Sequence, residues 1–323
     1  MNSLHREMSI WTNTRFSEPA LKLLREGASK HRLIEAHTLS STESNQTLRE
    51  ADIAFGQPDV SALMSSTQLT WAHISSAGYT SYDRDDFKLF LRERGALLTN
   101  SSSVFDEPCA QHLLSMMLAD ARQLLPSYAS QLGDHSWNGQ ERREGSILLG
   151  GQNVLILGYG AIARRLIELL APFDLRITAL RRHKSGDETC EIIGENELES
   201  ALKEADYVVN ILPDNASTRG WMNAQRFEQM KRGARFFNIG RGATVDQNTL
   251  LGALESGALA LAYLDVCDPE PLPPDHPLWS APRCFLTPHT AGGHRGEEER
   301  LVRHFLRNLR ALETGEALKD QVV

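Results

Sequence analysis

Short apolar runs alternate with amphipathic segments along most of the chain. In the N-terminal part, strands are predicted at 31–37, 51–56, 71–78 and 96–100, and helices near 17–27, 60–66 and 83–93. Farther along, strands are predicted at 153–158, 175–182, 207–212, 234–240, 260–266 and 283–289, and helices at 161–171, 197–204, 222–231 and 246–256. Apolar strands that alternate with helices are typical of βαβ units, whose parallel strands are covered on both faces.

Two longer amphipathic segments complete this pattern. A long helix is predicted at about 105–127, ending at Pro126, and another at 296–313. The strand-like runs fall into two groups on either side of the first of these helices. We therefore predict an α/β fold with two Rossmann-like or flavodoxin-like, doubly wound parallel-sheet domains separated by a cleft.

Composition and charge limit the kind of protein this is. A chain of 323 residues is longer than one ordinary core, which favours about two domains. The net charge of −8 argues against a nucleic-acid partner, because phosphate binding needs a basic surplus. The sequence contains neither a run of about 18 apolar residues nor an apolar segment of signal-peptide type near its start. We expect a cytoplasmic protein without a membrane partner.

The cysteines and histidines give no sign of a metal site. The four cysteines are scattered without a C-x-x-C pair, which suits a reducing compartment and argues against a disulfide framework. His73, His112 and His294 do not form a metal-like cluster and are expected to be structural or exposed. No metal cofactor is predicted.

The loop after the strand at 153–158 carries a glycine motif. Gly158, Gly160 and Ala163 form a G-x-G-x-x-A pattern between an apolar strand and a helix. In such a loop the glycines allow a tight turn and close approach of a pyrophosphate, which the helix N-terminus binds. The alternative is a purely structural turn, but strand, loop and helix all favour dinucleotide binding. The other loop residues expected at the cofactor are Tyr159, Ala161 and Ile162.

The end of the next strand indicates which dinucleotide is preferred. Arg181 and Arg182 stand where a carboxylate would be expected to bind the ribose 2′-hydroxyl of NAD(H). Guanidinium groups instead suit the 2′-phosphate of NADP(H). NADP(H) is therefore favoured and NAD(H) is possible. The alternative is a solvated basic turn that never touches the cofactor.

Several separate motifs resemble those of the D-isomer-specific 2-hydroxyacid dehydrogenase family. Besides the glycine loop, the similar segments are 75–83, 110–119, 212–223, 230–246, 263–272 and 286–293. The resemblance implies a discontinuous substrate domain, 1–100 plus 291–323, and a dinucleotide-binding Rossmann domain at 101–290. It also implies that the helix at 105–127 is a crossover, and that a homodimer forms through the dinucleotide-binding domain.

The resemblance assigns catalytic roles to Arg241, Glu270 and His289. Arg241 would bind the substrate carboxylate and carbonyl, His289 would exchange a proton with the carbonyl oxygen, and Glu270 would orient the imidazole. Taken singly, these residues could instead form a surface salt bridge, a solvated loop and a strand-end cap. The resemblance also places Asp265 at the nicotinamide carboxamide, with loop capping as the alternative. The remaining expected cofactor contacts are Leu212, Pro213, Ile239, Gly240, Arg241, His289 and Gly292.

The substrate is expected to be a small 2-keto or 2-hydroxy acid. Backbone N–H groups of Ser76, Ala77 and Gly78 can bind an anion, together with Arg241 and His289. The loops at 56–59 and 75–80 contain no lysine or arginine, which favours an unphosphorylated acid such as glyoxylate or hydroxypyruvate. Two alternatives stay open: a phosphoglycerate dehydrogenase-like activity, and a dinucleotide-sensing corepressor-like protein without catalysis.

Overall fold

The computed structural model describes residues 6–323, which fold into two compact units. The first unit takes in the chain up to Phe105 and then Gly293–Val323, and the second is Asp106–Gly292. In each unit the named strands form a single sheet, and all of their pairings are parallel. Two parallel-sheet α/β units confirm the predicted fold class. The substrate-binding and dinucleotide-binding roles of the two parts stay predictions.

The first unit is built on a five-stranded sheet with the order β2-β1-β3-β4-β5. Its strands are β1 Ser9–Thr12, β2 Arg32–Glu35, β3 Ile53–Gly56, β4 Trp71–Ile74 and β5 Leu97–Thr99. Its helices are α1 Glu18–Gly27, α2 Ser41–Arg49, α3 Val60–Met64, α4 Asp85–Arg94 and, after the second unit, α12 Glu297–Thr314. The helix α5 Ser102–Ala121 begins in the first unit and continues into the second.

Phe305 of α12 lies in the core of the first unit. The centroid of its ring is 4.2 Å from that of Phe55 in β3 and 5.0 Å from that of Trp71 in β4, with nearly parallel planes. All three rings are fully buried, and burial of such a side chain contributes about 1.5–3 kcal/mol. The last helix of the chain is therefore part of the unit that the N-terminal residues begin.

The second unit has a seven-stranded sheet with the order β12-β11-β10-β9-β6-β7-β8. The strands are β6 Asn153–Leu157, β7 Arg176–Leu180, β8 Glu191–Ile193, β9 Tyr207–Asn210, β10 Ala234–Asn238, β11 Leu259–Leu264 and β12 Cys284–Leu286. The helices are α6 Leu124–Leu132, α7 Gly139–Gly145, α8 Ala161–Leu170, α9 Leu198–Glu204, α10 Ala224–Gln229 and α11 Gln247–Glu255. Strand order reverses between β6 and β9, and ligands bind at the carboxyl edge of such a reversal.

The structure contains elements that the hydrophobic pattern did not predict. Strands β1 and β8 are short, and α2 buries only Leu48, so none of them shows a clear apolar period. The start of α2 could have been predicted from the sequence, because Ser40 and Glu43 have the spacing of a capping box, which they form in the structure.

The long helix predicted at 105–127 is two helices. Helix α5 ends at Ala121, and Gln123 adopts a left-handed backbone before α6 begins. Pro126 therefore lies in the first turn of α6, where its missing N–H group costs no hydrogen bond. Within residues 6–323, no helix has the length and apolar character needed to cross a membrane.

Candidate active site

The polar residues of interest follow three neighbouring strands of the second unit. Arg241 follows β10, Asp265 follows β11 and His289 follows β12. These strands lie side by side in the sheet and run parallel. Their carboxyl ends therefore meet at one edge, where open α/β sheets bind their ligands.

Glu270 and His289 form a direct pair at this edge. The Nδ1 atom of His289 lies 2.7 Å from Oε2 of Glu270, and Oε1 of Glu270 accepts a hydrogen bond from the backbone N–H of Cys267 at 3.0 Å. Both side chains are partly exposed, so the pair adds little to stability. Its effect is to orient the imidazole with Nδ1 toward the carboxylate, which leaves Nε2 for another partner.

Asp265 builds the turn that carries His289. Its buried carboxylate accepts hydrogen bonds from the Thr287 hydroxyl at 2.5 Å, the Thr290 N–H at 2.9 Å and the Ala291 N–H at 3.0 Å. Its backbone carbonyl accepts the N–H of His289 at 2.8 Å. His289 has a φ of 53°, a conformation that costs a non-glycine residue about 1–2 kcal/mol. These bonds offset that cost. They correspond to the loop-capping alternative for Asp265, while its contact with a nicotinamide stays a prediction.

Arg241 is held between two glycines that pack against backbone. A Cβ on Gly240 would lie 2.6 Å from the carbonyl oxygen of Leu212, and a Cβ on Gly242 would lie 1.9 Å from that of Cys267. Only glycine fits at these distances. The loop that carries Arg241 therefore touches both the segment after β9 and the loop that leads to Glu270.

The half-buried guanidinium of Arg241 donates a hydrogen bond to the Gly240 carbonyl at 2.6 Å. Within residues 6–323, Arg241 forms no hydrogen bond or ion pair with Glu270 or His289. The structure thus joins Glu270 and His289 directly. It places Arg241 after β10, which is separated from β12 by β11.

The glycine loop fits a dinucleotide pyrophosphate. Gly158 has a φ of 103°, and Gly160 caps α8 without a side chain. A Cβ on Gly160 would meet nothing within 4 Å, so its backbone faces open space. The first N–H groups of α8, at Ala161 and Ile162, are those of a helix start and suit an anion. Ala163 is completely buried where the helix meets the sheet.

A cavity of about 540 Å³ opens beside this loop. It is lined by Gly158, Tyr159, Leu180, Arg181, Arg182, Glu195, Leu212, Pro213, Ser217, Thr218, Arg219, Gly220, Trp221, Asn223 and Arg226. Of the other predicted cofactor residues, Ile239 and Gly240 follow β10, and Gly292 is the last residue of the second unit. The cavity is therefore lined by part of the glycine loop, by the two arginines predicted to bind the 2′-phosphate and by the segment after β9.

The arginines around this cavity differ in how they are paired. Arg181 forms an ion pair with Glu188 at 2.7 Å. The backbone N–H of Ser185 is the main cause that lowers the pKa of Glu188, to about 2. Arg219 pairs with Asp214 and Arg226 with Glu195, each at 2.9 Å. Arg182 is exposed and has no hydrogen-bond or ion-pair partner among the described residues. It is therefore the arginine whose charge is most available to a ligand.

Ser76, Ala77 and Gly78 lie in the first unit, in the loop after β4. The Ser76 hydroxyl donates to the Gly78 carbonyl at 2.6 Å, and the Asn100 side chain donates to the Ala77 carbonyl at 2.7 Å. Across the part of the chain that the structure describes, the three backbone N–H groups donate no hydrogen bond. Such free, consecutive N–H groups are suited to bind an anion.

The described residues include neither a metal-like cluster nor an activated thiol near the site. Among residues 6–323, no three His, Cys, Asp or Glu side chains are grouped as a metal site. Burial raises the pKa of Cys267 to about 11 and that of Cys284 to about 12, so both are protonated at neutral pH. Neither is a reactive thiolate.

The sequence patterns missed three side chains that connect to the His289 turn. Thr287 donates to Asp265, the Tyr263 hydroxyl lies 2.5 Å from the Thr287 hydroxyl, and His112 contacts Tyr263. Thr287 stands two residues before His289 and could have been noticed for that reason. Tyr263 and His112 carried no such signal.

Comparison with known proteins identifies the family of this chain. Residues 114–291 match the family model described as D-isomer specific 2-hydroxyacid dehydrogenase, NAD binding domain. An uncharacterized protein of Corynebacterium melassecola, from the proB 3′ region, is 34% identical over 229 residues, which are 69% of this chain and 73% of that protein.

Glyoxylate/hydroxypyruvate reductase A of Salmonella newport (strain SL254) is 37% identical over 172 residues, 53% of this chain and 54% of the reductase. The match therefore spans about half the length of that relative. The crystal structure of a D-isomer specific 2-hydroxyacid dehydrogenase family protein from Aeromonas salmonicida subsp. salmonicida A449 has a TM-score of 0.76 and 27% identity. That likeness covers 98% of this chain and 99% of the other.

The packing of Gly242 gives a first test. Gly242→Ala should lower stability by about 1–3 kcal/mol, the usual cost of overpacking, because the added methyl group overlaps the Cys267 backbone. Gly252→Ala is the matched control: Gly252 lies in α11, where a Cβ meets nothing within 4 Å and alanine is favoured by about 1 kcal/mol. Denaturant unfolding measures both variants. Equal midpoints for Gly242→Ala and Gly252→Ala would contradict the packing.

Proposed function

Because this chain belongs to the D-isomer specific 2-hydroxyacid dehydrogenase family, we propose that it reduces a small 2-keto acid with a nicotinamide dinucleotide. The pair of Glu270 and His289, 2.7 Å apart at the carboxyl edge of the sheet, carries this proposal. It is the arrangement that a proton donor with a fixed orientation requires. Glyoxylate and hydroxypyruvate are the substrates that we favour.

The residues of the second unit have separate roles in the proposed reaction. A nicotinamide dinucleotide bound here would supply the hydride for the carbonyl carbon. Gly158, Gly160 and the first turn of α8 would hold its pyrophosphate. His289 donates a proton from Nε2 to the carbonyl oxygen as negative charge develops there, and Glu270 stabilises the imidazolium before the transfer. Arg241 binds the substrate carboxylate through charge-assisted hydrogen bonds.

The choice among substrates rests on the loop after β4 in the first unit, which we propose binds an anion. The N–H groups of Ser76, Ala77 and Gly78 are available to a carboxylate. The loops at 56–59 and 75–80 lack a cationic side chain, whereas a phosphorylated acid would need one. This favours glyoxylate or hydroxypyruvate over phosphoglycerate. A protein that only senses dinucleotide has no use for an oriented acid–base pair, so the corepressor-like alternative is less favoured.

The proton-donor role predicts a specific pattern in variants. His289→Gln should lower kcat by about 10²-fold or more, the scale of a lost general acid. Glu270→Gln should cause a smaller loss, because an amide can still bond Nδ1 but cannot stabilise the imidazolium charge. The double variant should be no slower than His289→Gln alone, since Glu270 acts through His289. Steady-state oxidation of NADPH by glyoxylate measures all three. Wild-type kcat in His289→Gln would remove this residue from the role.

NADP(H) is the cofactor that the basic cavity favours. We expect kcat/KM to favour NADPH over NADH by roughly tenfold to a hundredfold, because a guanidinium contact to phosphate is worth about 1.5–3 kcal/mol. Arg182→Ala should reduce that ratio by about tenfold, since Arg182 has no competing carboxylate among the described residues. Arg181→Ala should reduce it less, because Glu188 already neutralises Arg181.

Kinetics with both reduced cofactors decide this assignment. Equal efficiency of the wild type with NADPH and NADH would end the NADP assignment and leave the dehydrogenase proposal intact. A larger effect of Arg181→Ala than of Arg182→Ala would show that Glu188 releases its partner when cofactor binds.

A homodimer through the second unit is the proposed assembly. Large apolar side chains are exposed along α6 and the segments that follow it: Leu124, Tyr128, Leu132, Trp137 and Leu148. Trp137 is 97% exposed, and contact with a second chain would remove its apolar surface from water. Light scattering should give twice the mass of the chain for wild type, and half of that for Trp137→Glu. Leu89→Glu, at an isolated exposed position in α4, is the control. A monomeric wild type would refute the dimer.

A further inference from the structure

A chain of hydrogen bonds leads from helix α5 to the turn of His289. His112 of α5 contacts the hydroxyl of Tyr263 through its Nε2 atom. The Tyr263 hydroxyl lies 2.5 Å from the hydroxyl of Thr287, which in turn lies 2.5 Å from Oδ1 of Asp265. All of these residues belong to the second unit. The proposed reaction does not use His112, Tyr263 or Thr287.

The direction of this chain follows from counting hydrogens. An ionised carboxylate only accepts, so the single hydrogen of the Thr287 hydroxyl is used on Asp265. The hydrogen between Thr287 and Tyr263 must then come from Tyr263. The Tyr263 oxygen is left to accept, and Nε2 of His112 must donate to it. The chain is complete only when His112 carries a proton on Nε2.

The surroundings keep each group in the form that this direction needs. Burial lowers the pKa of His112, against a smaller opposite effect of the Asp265 charge, so the imidazole is neutral at neutral pH and has one N–H to place. Burial also raises the pKa of Tyr263, so its hydroxyl keeps the hydrogen that it donates. The chain is partly buried, and in surroundings of low dielectric constant the hydrogen bonds of such a chain polarise and strengthen one another.

The far end of the chain is the carboxylate that forms the His289 turn. Asp265 bonds the N–H groups of Thr290 and Ala291, the two residues after His289, and its carbonyl bonds the N–H of His289 itself. The side-chain position of Asp265 therefore determines where the imidazole stands. Among the groups that bond this carboxylate, the Thr287 hydroxyl is the one that continues the hydrogen-bond chain to Tyr263 and His112.

We propose that His112 and Tyr263 are positioning residues for His289, which they orient through Thr287 and Asp265. This rests on the proposed role of His289 as proton donor. The proton acceptor of the reaction must lie within hydrogen-bond reach of Nε2 of His289, and a small displacement of a reacting group can cost up to about 10²-fold in rate. Loss of the chain should therefore slow turnover without removing any group that touches substrate.

Tyr263→Phe tests this with the least disturbance, because it removes only the hydroxyl and keeps the ring among its neighbours. The matched control is Tyr207→Phe in the same sheet: Tyr207 is also fully buried, and its hydroxyl has no hydrogen-bond partner among the described residues. Tyr263→Phe should lower kcat about tenfold with KM for the keto acid nearly unchanged, since positioning acts in the transition state. Tyr207→Phe should match wild type.

Two variants of His112 separate positioning from packing. His112→Gln places an amide N–H near the position of Nε2 and should keep most of the wild-type kcat. His112→Leu fills similar space without a donor and should behave like Tyr263→Phe. Equal losses in His112→Gln and His112→Leu would show that only the shape of the imidazole matters and would overturn the proposal. So would equal kcat in Tyr263→Phe and Tyr207→Phe.

A measurement without turnover keeps this test independent of the proposed function. Nitrogen-15 spectra of labelled histidines should show His112 as the neutral Nε2–H tautomer. They should also show the His289 signals displaced in Tyr263→Phe but not in Tyr207→Phe. A His112 proton on Nδ1, or unmoved His289 signals, would refute the chain. A wild type that reduces no 2-keto acid while these spectra appear as expected would refute the proposed function and leave the chain standing.

Discussion

The buried carboxylate of Asp265 is the interaction on which the site depends. A carboxylate at 3% exposure must be fully hydrogen-bonded, and it finds its donors in Thr287, Thr290 and Ala291. Satisfying this one group bends the chain after β12 into a turn in which His289 adopts a left-handed backbone. The position of the imidazole thus follows from the need to hydrogen-bond the buried carboxylate of Asp265, which comes directly after the adjacent strand β11.

A second constraint is the close approach of backbones around Arg241. Gly242 packs on the carbonyl of Cys267, and the N–H of the same Cys267 bonds Glu270. The loops after β10 and β11 are therefore fitted to one another before any ligand arrives. Preorganisation of this kind is how an enzyme avoids reorganising its charges during reaction. Three parallel strands supply the scaffold, because their carboxyl ends must lie at one edge.

Much of the site could be predicted from local sequence. The glycine loop is a contiguous motif, and Glu270 and His289 stand in short segments that follow strands, so a resemblance to a family can point to them as candidates. What could not be predicted is which side chains pair with one another through hydrogen bonds and ion pairs. Arg181 and Arg182 look equivalent in sequence, but Glu188 pairs with the first alone. His112 and Tyr263 are 151 residues apart, and only the folded chain brings them into contact.

The fold shows the same division. Strands with an apolar period and helices with an apolar face were predictable. β8 is a three-residue edge strand, β1 is a four-residue strand inside its sheet, and α2 buries only Leu48, so none of them has an apolar pattern long enough to be predicted.

Isotope transfer tests the central claim, reduction of a 2-keto acid, most directly. The protein would be incubated with hydroxypyruvate and NADPH labelled with deuterium on the transferred side of nicotinamide C4, and the product examined by mass spectrometry. The account predicts glycerate with one deuterium at C2, from the cofactor, and an unlabelled hydroxyl proton that exchanges with water. Glycerate without deuterium, or no glycerate from either hydroxypyruvate and NADPH or hydroxypyruvate and NADH, would contradict it.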